Sequence, residues 1–159
     1  MSEQPQSASW PCISGRLAGA RHILPVRVYF EDTDFSGLVY HTSYLRWCER
    51  GRSDYLRLSG VQHSGLAGGA FAGEPCAFAV RRIEADFLKP ARIDEILEVH
   101  TSAAGIGKAS IVLDQAILRE ERPIFRLRAQ CVLIAASGRL LRLPPALTEL
   151  LPPQSDSCL

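Results

Sequence analysis

Two aspartates and a histidine crowd into Tyr29-Phe30-Glu31-Asp32-Thr33-Asp34-Phe35-Ser36-Gly37-Leu38-Val39-Tyr40-His41-Thr42-Ser43-Tyr44. Gly37 permits a tight turn, and Val39-Tyr40 returns the chain to a helix start near His41. A helix N-terminus presents unpaired N–H groups and the positive end of a dipole, which suits an oxygen that gains negative charge during a reaction. A carboxylate facing those groups can attack a carbonyl or activate a water for the attack. The layout supports acyl chemistry and calls for no metal or organic cofactor. The same run also reads as a turn with helix-capping acids, and His41 as a cap or surface residue. Spacing alone leaves both readings open.

The elements that must position these residues follow from periodicity. VRVYF (26–30) alternates and reads as a first strand. A helix is expected from about Thr42 to Ser59, where Tyr44, Cys48, Gly51, Tyr55 and Leu58 recur at three- and four-residue steps and Leu45 and Trp47 widen the stripe. Glu49, Arg50, Arg52, Asp54 and Arg57 fall on its other faces, and Gly60 sits at a C-cap position. Gly51 in mid-helix costs about 1 kcal/mol against Ala, so the helix is expected to press there against a surface with no room for a side chain.

Four alternating stretches follow: Ile83, Ala85 and Phe87 against Arg82, Glu84 and Asp86; Leu97, Val99 and Thr101 against Glu98 and His100; Ile111 and Leu113 against Asp114; and Phe125, Leu127, Ala129, Cys131 and Leu133 against Arg126, Arg128 and Gln130. Period-two alternation predicts an antiparallel sheet with one buried face. A fifth, shorter strand is expected over Leu140–Leu143, and one or two helical turns over 146–151. The fold class is therefore α+β, a curved antiparallel sheet around one long helix. The Gly/Ala-rich stretch 64–73 lacks the order of a phosphate-binding loop and reads as a flexible cover that admits an acyl chain.

Composition bounds the rest. The 159 residues carry 18 Lys and Arg against 17 Asp and Glu, a net charge of +1. That balance gives no support to a nucleic-acid or polybasic membrane binder, and no apolar run reaches the roughly 20 residues that span a bilayer. One domain is expected over 22–151, with loose tails at 1–20 and 152–159. The five cysteines (Cys12, Cys48, Cys76, Cys131, Cys158) are scattered and odd in number, which reads as reduced thiols in a cytoplasmic protein, with Cys48 and Cys131 in the core. His22, His63 and His100 are expected to have no chemical role.

The run from Val26 to Arg52, with its core D-x-D-x-x-G-x-V-Y-H-x-x-Y at Asp32, Asp34, Gly37, Val39, Tyr40, His41 and Tyr44, resembles the signature of hotdog-fold acyl-CoA thioesterases. It is most similar to the Tol-Pal-associated (YbgC-type) group, relatives of 4-hydroxybenzoyl-CoA thioesterase. The stretch FLKPARIDE (87–95) is similar to the family's strand–turn–strand segment, and the resemblance covers about 25–150. It implies a sheet wrapped around the central helix and hydrolysis of short- to medium-chain or aryl acyl-CoA to an acid and free CoA. Asp34 then matches the catalytic carboxylate and the His41 N–H polarises the carbonyl, its side chain assisting. Gly37, Val39, Tyr40 and Tyr44 shape and position that site, and Asp32 is structural. Phe30 stands where relatives often carry Tyr, so any role for that hydroxyl is lost. Coenzyme A phosphates are expected near Lys89, Arg92 and Arg128. The resemblance also implies a homodimer or homotetramer. An acyl carrier protein as thioester carrier, or a non-catalytic acyl-CoA-binding or scaffold module for lipid-synthesis enzymes, are the alternatives.

Overall fold

The computed structural model describes residues 13–151; the tail expectations for 1–12 and 152–159, with Cys12 and Cys158, lie outside them. In chain order the elements are β1 (Arg16–Ala18), β2 (Arg21–Arg27), a 3-10 turn (Phe30–Asp32), α1 (His41–Leu58), α2 (His63–Ala67), β3 (Cys76–Phe87), β4 (Ile96–Ile106), β5 (Ser110–Arg119), β6 (Arg122–Ala135) and α3 (Pro145–Leu150). The strands form one six-stranded antiparallel sheet in the order β1-β2-β4-β5-β6-β3. Register irregularities at Val80/Arg82 in β3, Ala103/Gly105 in β4 and Ile117/Leu118 in β5 are the kind of insertion that bends a strand and sharpens twist. The α+β architecture is the one the alternation predicts.

Helix α1 lies against this sheet with two apolar clusters along its length. Tyr44, Trp47 and Cys48 pack with Leu97, Val99, Ile117, Phe125 and Leu127 at one end, and Tyr55 and Leu56 pack with Leu66, Ile111, Leu113, Leu133 and Leu147 at the other. Gly51 falls between them. A Cβ placed there would stand 2.9 Å from Val99 Cγ1 and 3.0 Å from Thr101 Oγ1, so the close approach inferred from its cost in a helix is present. Cys48, Cys76 and Cys131 are buried free thiols, and burial pushes Cys48 up to about 12.

Several local expectations are corrected. The first long strand is Arg21–Arg27, because that segment is bonded to β4 from Arg21↔Ser102 to Arg27↔Ile96. Pro25 is tolerated because β1 pairs only Arg21–Ile23, leaving the other edge of β2 open beyond them. Part of the presumed N-terminal tail, Arg16–Ala18, forms that hairpin. His22 is fully buried rather than near a tail, and Arg52 and Asp54 are buried rather than on solvent faces, while Leu58 is exposed. His100 is buried too, its Nε2 2.9 Å from Glu98 Oε2. Residues 140–143 make one bridge, Ile134↔Leu140, and no strand; Leu141 and Leu143 instead bury across the end of the sheet. The 64–73 stretch is no loose cover, since it contains part of α2 and Leu66 is fully buried. Finally, the apolar face of β3 is uncovered at Ile83 and Phe87, because β3 is an edge strand.

Candidate active site

The segment between β2 and α1 is closed by backbone and carboxylate bonds. Asp32, buried at the end of the 3-10 turn, accepts the Tyr29 N–H on Oδ2 at 2.9 Å. Its carbonyl accepts the Tyr40 N–H at 2.8 Å and the Ser43 hydroxyl at 3.4 Å. One residue thus ties the loop's entry to the helix start, a structural role. Thr33 bridges Val39, the Asp34 N–H bonds to Leu38 O at 3.1 Å, and the Gly37 N–H bonds to Asp34 O at 3.0 Å. Gly37 turns the chain at φ 76°, in the left-handed region that glycine enters without penalty.

The Asp34 carboxylate is exposed. Its Oδ1 accepts the Ser36 N–H at 2.8 Å and the Ser36 hydroxyl. The hydroxyl bond first, then the backbone bond, hold its pKa below the ordinary aspartate value. It is therefore ionised at neutral pH, and Oδ2 accepts no bond among the described residues. The chain then enters α1. Tyr40 is the N-cap and supplies no side-chain cap, and neither the His41 nor the Thr42 N–H has an acceptor among the described residues. The His41 imidazole is exposed, with the Tyr40 ring 4.4 Å away.

Below the loop, Val39 N–H bonds to Ala91 O at 2.9 Å, Leu38 bridges Arg92, and Tyr44 Oη accepts the Ala91 N–H at 3.0 Å. Tyr44 stacks on Phe125 and meets Phe87 edge-on. These contacts make Tyr44 a strut that holds the 88–92 turn against the helix. Leu38, Val39, His41, Tyr44, Phe87, Leu88, Lys89 and Pro90 surround a cleft of about 220 Å³ at the helix start. Leu88 and Pro90 carry no side-chain chemistry that spacing could flag, and Phe87 reads from alternation only as a strand residue; the FLKP run marks their segment.

The expected cations separate. Lys89 lines the cleft and Arg92 lies on the adjoining turn, where its N–H bonds to Glu95. Arg128 points from the outer face of the sheet and makes a two-pronged bond to Asp114 at 2.6 and 2.8 Å. The structure does not bring it to the cleft. The Asp114 bonds, then the Asp114 charge, raise its pKa. Among the described residues no cluster could hold a metal ion, and no helix is long and apolar enough to cross a membrane.

A curved antiparallel sheet holding one long helix, with an acid-bearing loop at the helix start, is the hotdog architecture of thioesterases. The chain belongs to the thioesterase-like superfamily, whose family model matches residues 28–151, and it is a thioester hydrolase. It is 37% identical over 125 residues to the acyl-CoA thioester hydrolase YbgC of Escherichia coli O6:H1, covering 79% of this chain and 88% of that protein. A probable thioesterase from Bartonella henselae superposes with a TM-score of 0.76 at 41% identity, over 79% of this chain and all of the other. The 4-hydroxybenzoyl-CoA thioesterase of Pseudomonas sp. strain CBS-3 shares the fold, with a TM-score of 0.76 at 20% identity over 83% of this chain and 99% of that one.

Proposed function

We propose that this protein hydrolyses acyl-CoA thioesters with Asp34 as the reacting carboxylate and the His41 N–H as the donor to the carbonyl oxygen. One observation carries the reading: the loop that closes on itself from Asp34 to Leu38 leads directly into a helix whose first N–H groups are unpaired. A thioester carbonyl in the cleft receives those N–H groups as its oxygen becomes anionic. Asp34 either attacks the carbonyl itself or acts as general base on a water that does. Attack by Asp34 forms an acyl–aspartyl anhydride and expels the CoA thiolate, which takes a proton from water. A second water then cleaves the anhydride and restores the carboxylate. Gly37 and Val39 shape the loop, Tyr40 and Tyr44 hold its two sides, and the His41 ring orients the incoming water.

Lys89 and Arg92, beside the cleft, are the cations suited to the CoA phosphates. Arg128 is the weaker candidate because Asp114 already holds it. The exposed apolar side chains Val80, Ile83 and Phe87 on edge strand β3 favour pairing with a second copy, since an open apolar edge seeks a partner; two such dimers make the tetramer. The buried free thiols suit a reducing, cytoplasmic compartment.

Thiol release from a panel of acyl-CoAs tests the reading. Native protein is expected to release CoA and Asp34→Asn to lose that release; near-normal hydrolysis by the variant overturns the assignment. Single turnover in heavy-oxygen water separates the chemical routes. Label in Asp34 requires the anhydride, because direct attack by water places label only in the released acid.

A further inference from the structure

Arg52 is a buried charge that the hydrolytic site does not use. A guanidinium taken from water is ordinarily offset by a carboxylate. Arg52 is 9% exposed, and its one side-chain hydrogen bond among the described residues runs from Nη1 to the neutral amide oxygen of Gln115, 2.8 Å away. None of the ion pairs among those residues includes it. The acids nearest it in sequence make other bonds. Glu49 accepts the Ser53 hydroxyl at 2.8 Å, and Asp54 accepts from His22, Arg57 and the Gly15 N–H.

Arg52 borders a cavity of about 160 Å³ between α1 and strands β3, β5 and β6, whose walls include Phe78, Val80, Ile111 and Leu113. An apolar cavity of about 150 Å³ is large enough for one benzene ring. A chamber of that size, with a guanidinium in its wall that has no carboxylate partner among the described residues, matches a small apolar body with an anionic head. The fork fits the two oxygens of a carboxylate better than any neutral group.

We propose that Arg52 and this cavity form a binding site for a short-chain or single-ring carboxylate. The site is distinct from the Asp34 cleft, because Arg52 lies about 16 Å along α1 from His41 at the helical rise. The source that fits this separation is a free carboxylic acid such as thioester hydrolysis releases, because the far end of a short acyl group held at the helix start does not span that distance.

Calorimetry of the full chain with hexanoate and benzoate reads the site directly, with hexanamide and benzamide as uncharged controls. Each acid is expected to bind at least about tenfold more tightly than its amide. Arg52→Met is expected to abolish that difference and Arg52→Lys to keep part of it. If Arg52→Met does not fold, the acid-to-amide ratio in the native protein decides alone. Acids that bind no better than amides overturn the proposal, as does undiminished binding by a folded Arg52→Met. Glu49 also borders the cavity, so Glu49→Gln removes a like charge and is expected to tighten binding.

Thiol release then tests that the two sites are separate. Faster turnover of glutaryl-CoA than of valeryl-CoA, erased by Arg52→Met, puts the guanidinium within reach of the thioester site and overturns the separate site. Equal turnover of the two, altered by added hexanoate only when Arg52 is present, supports a free acid as its ligand. If no CoA thioester is cleaved, the role given to Asp34 fails while the calorimetry still judges Arg52. Dispersal of an oligomer by Arg52→Met, with no acid bound by the native protein, assigns the guanidinium to a carboxylate of a second copy and overturns the proposal.

Discussion

Asp34 and Asp54 sit at two ends of the same architecture and reach the same ionisation state by opposite means. Asp34 is exposed, and its low pKa comes from Ser36, two residues away. Asp54 is buried on α1, where desolvation alone would raise its pKa. The His22 bond, the Gly15 N–H and the charges of His22 and Arg57 outweigh that penalty and lower it. One carboxylate has an oxygen that accepts no bond among the described residues, and the other spends its oxygens joining β2 and the chain before β1 to the helix. A depressed pKa therefore does not by itself mark a reactive acid; in the proposed mechanism Asp34 is set apart by its unspent oxygen on the loop that leads into unpaired N–H groups.

Exchanging each acid for its amide separates the two roles. Asp34→Asn is expected to lower kcat by about a thousandfold with an unchanged melting temperature, read by thiol release and calorimetric melting. Asp54→Asn is expected to cost about 2–3 kcal/mol of stability, the usual value of buried charge-assisted bonds, with kcat per folded molecule retained. If the losses fall the other way round, the contrast is wrong.

Between these extremes lies the helix crossing. Gly51→Ala gains about 1 kcal/mol of helix propensity but forces a methyl against Val99, Thr101 and Gln115. A net loss of about 1–2 kcal/mol is expected by urea denaturation; a stabilised variant would mean that the helix stands further from the sheet.

Acid sharpens the comparison. Because the folded pKa of Asp54 is lowered, its contribution is present above the unfolded carboxylate range and is lost as pH falls through the folded value; Asp54→Asn should flatten that part of the stability curve. For Asp34 the same sign governs turnover. The acid limb of kcat/KM lies below the ordinary aspartate range, and Ser36→Ala should move it upward. A limb that stays put separates the hydroxyl from the reactive acid.

The smallest effect is expected far from both acids. The β5–β6 hairpin turns through Glu120 and Glu121, both at positive φ (49° and 65°), a two-residue conformation that favours Asn-Gly. Replacing the pair with Asn-Gly relieves the left-handed strain and is expected to add about 0.5–1 kcal/mol without altering turnover.

Local pattern and local bonding were readable from the amino-acid order. The long helix, four of the sheet's alternating strands, the tight turn at Gly37 and the tight packing at Gly51 all rest on short-range spacing or on the cost of a single residue type. Period and turn chemistry act within a few residues, so they survive without coordinates. The partners of Arg52, the burial of His22 and Asp54, the placing of Arg128 on the outer face and the exposure of Ile83 and Phe87 depended on which strands become neighbours. Gln115 meets Arg52 across 63 positions of chain, and His22 meets Asp54 across 32. Nothing in local periodicity encodes such meetings, because the sheet's pairing order brings those side chains together only when the whole domain closes.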